Sequence, residues 1–252
     1  REVSGTYETH VVKMDKYGTV RESATIGVSV RYDDTNNDGT VEEIKVGAYT
    51  TTSVFDIAGT QTSSQTNGES WNVKGNATGY YSTTGTFNEY GTMTDQITKG
   101  GSYAYVDQDG NGVIDVATER EVSGTYETHV VKMDKYGTVR ESATIGVSVR
   151  YDDTNNDGTV EEIKVGAYTT TSVFDIAGTQ TSSQTNGESW NVKGNATGYY
   201  STTGTFNEYG TMTDQITKGG SYAYVDQDGN GVIDVATERE VSGTYETHVV
   251  KM

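Results

Sequence analysis

From Ala24 to Tyr32 the chain alternates cleanly. Ala24, Ile26, Val28, Val30 and Tyr32 fall on one side and Thr25, Gly27, Ser29 and Arg31 on the other, the period-two signature of a β-strand. Ile44, Val46 and Ala48 alternate in the same way with Lys45, Gly47 and Tyr49, and Trp71, Val73, Gly75 and Ala77 with Asn72, Lys74 and Asn76. Val3, Gly5, Tyr7, Thr9 and Val11 face away from Ser4, Thr6, Glu8 and His10. No segment sustains a helical stripe, and a chain rich in Thr and Tyr but devoid of Leu favours strands over helices. The pattern predicts strands over 3–13, 19–32, 41–55, 69–81, 84–90, 93–98, 101–106 and 113–119, the last running on through Arg120 as one long arm. Turns are expected at Asp15–Gly18, Thr35–Gly39, Gly59–Gly68, Gly91 and Asp109–Gly112, with Ala58–Gly68 as a mobile loop on its Gly, Ser, Thr and Gln content.

The pattern then repeats. Arg1, Arg120 and Arg239 each open the string REVSGTYETHVVKM, so the period is 119 residues. Residues 15–133 and 134–252 read as two identical β units, and 1–14 as the C-terminal strand arm of a preceding one. That period is too long for common solenoid repeats of about 20–45 residues and suits a string of small domains. Residues 239–252 have the neighbouring strand Tyr222–Val225 in the same chain, whereas 1–14 lack its counterpart. This predicts an arm that adds to an exposed sheet edge, of the next unit or of another molecule.

Each unit has one Trp (Trp71), two Phe (Phe55, Phe87) and nine Tyr, a thin core by any count. The expected fold class is all-β: tandem identical antiparallel β domains, each a sandwich with Tyr in its core or an elongated sheet, with calcium loops at hairpin tips. The absence of Cys excludes disulfides and thiolate chemistry, and no apolar run is long enough to span a bilayer. With 36 acidic against 18 basic residues, the net charge of −18 argues against nucleic acid and against anionic membranes.

The acids are not spread evenly. Asp34, Asn36, Asp38, Thr40 and Glu42 form one oxygen-rich loop, and Asp107, Asp109, Asn111, Val113 and Asp115 a second, both on the template D-x-[DN]-x-[DN]-G-x-x-[DE]. Side-chain oxygens at alternating positions converge on a hard cation, Gly permits the sharp turn, and the carbonyl of Thr40 or Val113 adds a ligand. The next residue, Val41 or Ile114, is expected to tuck into the core. A bidentate acid is missing at position twelve, where Lys45 and Thr118 stand; Glu119 is a substitute in the second loop, and Asp33 or Glu43 in the first. The second copy offers Asp153, Asn155, Asp157, Thr159 and Glu161, then Asp226, Asp228, Asn230, Val232, Asp234 and Glu238. These loops account for the acidic excess of each period, which argues for Ca²⁺ as the cofactor that holds the acids together. Asx-rich hairpin turns with a solvated face account for the same spacing without metal.

Other features read as bland. His10, the single His of its period, sits on a polar strand face, and no G-x-S-x-G elbow places a nucleophile, so no enzyme is expected. Asn76-Ala-Thr78 is a glycosylation sequon of a kind common by chance. Tyr49, Tyr80 and Tyr81 suit strand pairing better than sugar stacking, and the T-x-T pairs show no register recurring within a unit, which argues against an ice-binding surface.

The acidic loops resemble the calcium loops of EF-hands and dockerin-like bacterial repeats, on strand-like rather than helical flanks. In its near-identical units, low pI, lack of Cys and richness in Thr, Gly and Asp, the whole chain resembles the tandem-repeat region of large secreted bacterial surface proteins: adhesin stalks, biofilm-matrix proteins and S-layer-like fibres. The resemblance implies an extracellular or cell-surface structural array stiffened by Ca²⁺. Its partners would be neighbouring repeats, with head-to-tail or lateral self-association and surface glycans as further partners. The alternatives are a self-assembling fibre or layer subunit linked by strand donation, and a calcium-dependent carbohydrate-binding module.

Overall fold

The computed structural model describes residues 4–34, 38–107, 111–154 and 160–250. It is all-β, with thirteen antiparallel strands and no helix among those residues. The chain divides into two compact units, Arg1–His129 and Val130–Met252. The first holds β1 (Gly5–Met14), β2 (Val20–Asp33), β3 (Glu42–Phe55), β4 (Gln61–Trp71), β5 (Ala77–Phe87), β6 (Met93–Tyr105) and most of β7 (Arg120–Met133). The second holds β8 (Val139–Asp152), β9 (Glu161–Phe174), β10 (Gln180–Trp190), β11 (Ala196–Phe206), β12 (Met212–Tyr224) and β13 (Arg239–Val250). Within each unit the strands form one open sheet whose order follows the chain, each strand pairing with its neighbours in sequence.

A short motif builds most of the hairpins. Asp56-Ile-Ala-Gly59-Thr60, Asn72-Val-Lys-Gly75-Asn76 and Asn88-Glu-Tyr-Gly91-Thr92 start sixteen residues apart, and Asp15-Lys-Tyr-Gly18-Thr19 is a fourth example. In each, the opening Asp or Asn carbonyl accepts the Gly N–H, and its side-chain Oδ1 accepts the N–H groups two and four residues on. The Gly residues stand at φ of +75° to +84°, the left-handed conformation that the step back into the strand demands.

This shorter period corrects several sequence expectations. Ala58–Gly68 is no mobile loop, since β4 starts at Gln61. The alternation read over 69–81 is cut by the turn at Asn72–Asn76, and residues 93–105 form one strand rather than two. Val113–Glu119 lies in an irregular loop, so the arm begins at Arg120.

Among the described residues no second layer covers either sheet. The sandwich is therefore ruled out in favour of the elongated-sheet alternative. Among the described residues only Ala77 and Ala196 are buried apolar side chains, and Ile26, in mid-sheet, is 48% exposed. Cohesion comes from the backbone ladder and from cross-strand side-chain rows. One row of the first unit runs Tyr7, Gly27, Tyr49, Gly68, Tyr81, Gly100, Tyr126 across seven strands. The second unit repeats it as Gly146, Tyr168, Gly187, Tyr200, Gly219, Tyr245. Tyr49, Tyr81 and Tyr126 lean across onto Gly27, Gly68 and Gly100, so the rings shield backbone that glycine would otherwise leave open.

The adjacent row on the same face is threonine throughout: Thr9, Thr25, Thr51, Thr66, Thr83, Thr98, Thr128. The Thr register thus recurs in every strand, contrary to the sequence reading. The hydroxyls bond pairwise within the row, Thr9 to Thr25 at 2.9 Å, Thr51 to Thr66 at 2.8 Å and Thr83 to Thr98 at 2.9 Å, rather than forming an evenly spaced outward array.

Candidate metal-binding loops

The meander brings both acidic loops of a unit to one end of its sheet. Turns at 15–19, 56–60 and 88–92 close one end, while the β2–β3 and β6–β7 ends and the turn at 72–76 lie at the other. Where β2 meets β3, the last rung places Asp33 opposite Glu42, two like charges in register.

The two loops share one construction. Asp34 accepts the N–H of Asp38 (3.0 Å) and Gly39 (2.8 Å), and Asp107 accepts those of Asn111 (3.2 Å) and Gly112 (2.7 Å), four and five residues on. In the second unit Asp226 does the same with Asn230 (3.1 Å) and Gly231 (2.7 Å). The fifth position then accepts the N–H two residues ahead: Asp38 from Thr40, Asn111 from Val113 and Asn230 from Val232. A carboxylate or amide oxygen that accepts one N–H keeps a second lone pair.

Two groups of acids converge. Asp34, Asp38 and Glu42 bring one oxygen each within 4.8 Å of one another, and so do Asp226, Asp228 and Glu238. Glu238 is only 5% exposed; its Oε1 accepts the N–H groups of Gln227 (2.8 Å) and Asp228 (3.3 Å), and its Oε2 that of Asp234 (2.7 Å). Glu119 is buried alike and accepts the Asp115 N–H at 2.6 Å. Asp115 and Asp234 each accept the N–H of the Ala two residues on. The late acid, Glu238, is therefore the one brought to Asp226 and Asp228.

Elsewhere the placements differ. Glu161 accepts both the N–H and the hydroxyl of Thr154, and Glu43 accepts the Tyr32 hydroxyl at 3.0 Å. Asn36, Asp109, Asn155, Asp157 and Thr159 lie outside the described residues. Val41 and Ile114 are 58% and 46% exposed, correcting the expectation that they tuck into a core: a single-layered sheet has no interior to receive them. His10 pairs with Glu8 at 2.7 Å on the surface.

Backbone N–H donors to their charged forms hold the carboxyls of Asp226 and Glu238 below their ordinary values of 3.8 and 4.5, the Gly231 and Asp234 N–H groups leading respectively. A depressed folded value means stability that is fully present above the ordinary value and lost as pH falls through the folded one. Acid titration followed by amide exchange at residues 226–238 should therefore show this loop opening only below about pH 4. Opening between pH 5 and 6 would contradict that placement.

The face opposite the tyrosine–glycine row carries an open groove of ≈ 440 Å³ lined in part by Ile26, Ala48, Glu69, Trp71 and Tyr80, with a counterpart at Ile145, Ala167, Glu188 and Trp190 in the second unit. Lys45 lies 5.0 Å from the Trp71 ring, and Tyr80 stands 5.4 Å from Tyr103, which Arg120 caps at 4.4 Å. Tyr80 and Tyr81 thus serve opposite faces. The sixteen-residue spacing of Gly59, Gly75 and Gly91 was the signal that would have placed both in register from the sequence.

No protein-family model matches this chain, and no curated protein matches it.

Proposed function

We propose that the chain is a non-catalytic structural repeat array of an extracellular surface, adhesin or matrix protein, rigidified by Ca²⁺. One observation carries this reading: sheet order follows chain order in each unit, with no interior to complete. An architecture in which contacts join only chain neighbours grows in one direction as units are added. The acidic loops supply the stiffening. Their oxygen-only donors suit a hard cation, and the groups Asp34–Asp38–Glu42 and Asp226–Asp228–Glu238 each bring three carboxylates together. The ion would neutralise the like charges gathered at one end of the sheet.

Small-angle scattering on chains of two, four and six units in calcium tests the extender reading. A stiff array predicts a radius of gyration rising nearly in proportion to length. Growth as roughly the 0.38 power of length, the scaling of compact domains, would overturn it.

A further inference from the structure

We propose that the uncharged centre of one face of each unit is a stacking surface, and that its occupant is the same face of a second copy of this chain. That centre consists of four adjacent rows, with Arg21, Arg31 and Glu121 beyond its margins on the same face. Beside the Tyr/Gly and Thr rows lies Gly5, Ser29, Gly47, Ser70, Gly79, Ser102, Gly124. Beyond the threonines lies Val11, Ser23, Ser53, Ser64, Gly85, Gln96. None of these side chains is charged. The other face carries Glu8, Glu69, Lys99 and Glu127, and the loops carry most of the remaining acids.

Three considerations point to self-stacking. A chain of net charge −18 repels its own copies, so close contact between them is least opposed across a surface without charge. The area is sufficient: with strands about 4.8 Å apart and four rows about 6.8 Å apart, the seven strands of the first unit cover roughly 900 Å² and the six of the second roughly 800 Å², against about 800 Å² per partner in a standard stable interface. Desolvation is cheap, because the threonine hydroxyls already bond to one another, in the second unit as well (Thr170 to Thr185 at 2.8 Å, Thr202 to Thr217 at 2.9 Å). In each pair one hydroxyl donates and the other accepts, which leaves one donor per pair to be satisfied across the contact. The Gly/Ser row lets backbones approach, and each tyrosine fills the gap over its neighbouring glycine, which levels the surface. The proposal goes beyond the extender reading by adding lateral association, and it holds whether or not the acidic loops bind metal.

Sedimentation of the full chain over a range of concentration and salt tests this. The wild type should self-associate, more tightly as salt screens the net charge. Thr51→Lys with Thr170→Lys, which places a charge in the threonine row of both units, should weaken association by about tenfold or more. Thr52→Lys with Thr171→Lys, one residue along and on the opposite face, should change it by less than about twofold. Circular dichroism verifies the fold of each variant; if the Thr51 pair unfolds, Ser23→Lys with Ser142→Lys at the face's margin replaces it. A wild type that stays monomeric at every salt and concentration overturns the proposal, as does equal weakening by the Thr52 pair. Retention of monomeric protein on a polysaccharide gel, lost on Thr51→Lys with Thr170→Lys, would overturn it in favour of a glycan.

Discussion

Calcium should raise the melting temperature of this chain, and a chelator should return it to the metal-free value. The expectation rests on where the acids stand. Asp33 faces Glu42 across the last rung of the β2–β3 ladder, Glu42 in turn brings a carboxylate oxygen within 4.8 Å of those of Asp34 and Asp38, and Asp226, Asp228 and Glu238 crowd in the same way. Such groups repel in the absence of a counterion, and an ion that binds only the folded arrangement stabilises it. A saturable site adds about 2.7 kcal/mol when free calcium exceeds Kd a hundredfold. Magnesium, which demands a tighter octahedron, should substitute poorly. Asp34→Asn with Asp153→Asn, or Asp107→Asn with Asp226→Asn, should each remove part of the calcium-dependent increment and also lower the metal-free melting temperature somewhat, since Asn offers one acceptor oxygen where both carboxylate oxygens of Asp34, Asp107 and Asp226 accept loop N–H groups. A melting temperature indifferent to calcium and chelator alike would remove the metal from this account and leave the loops as Asx turns.

Gly100→Ala, with Gly219→Ala in the second unit, should be the most damaging of the small substitutions in the sheet. A Cβ at Gly100 would lie 2.6 Å from the Tyr80 carbonyl oxygen and 2.6 Å from the Tyr126 ring. The ring can swing away; the carbonyl belongs to the ladder and cannot move without disturbing the pairing of β5 with β6. Overpacking of this kind costs about 1–3 kcal/mol per site. Gly47→Ala with Gly166→Ala is the matched control, because the nearest atom to its Cβ is 3.4 Å away, so the change should be nearly neutral. Urea midpoints compare the two pairs. Equal midpoints would mean that the tyrosine–glycine row contributes no constraint of its own.

Much of this architecture could be read without coordinates. The alternation at Ala24–Tyr32 and Ile44–Tyr49 marks strands that the structure contains, and Asp15–Gly18 and Gly91 are turns where expected. The misreadings cluster at one kind of place. Trp71, Val73, Gly75 and Ala77 keep strand periodicity straight through a turn, because a five-residue Asx hairpin leaves the alternation intact on both sides while Asn72 and Gly75 reverse the chain. Gln61–Trp71 has almost no apolar residue, so it resembles a loop; it is a strand because its polar face pairs threonine to threonine and glycine under tyrosine. The acidic loops were legible as a template, since the same N–H groups fall to the first Asp in the loops of Asp34, Asp107 and Asp226. Glu119 and Glu238 were legible as the late acids of their loops, but their burial was not, because it depends on the loop folding back over them.

By itself, then, the sequence determined the period of 119, the β class, the uneven charge and the two oxygen-rich loops, all properties of local pattern and residue type. The tertiary structure alone decided that each unit is single-layered, that both acidic loops gather at one end of the sheet, and that four rows without charge share a face. Those facts depend on register. A shift of one residue in any pairing would send every side chain of that strand to the other face, and nothing in a linear pattern of small polar residues reveals which register the Asx turns impose.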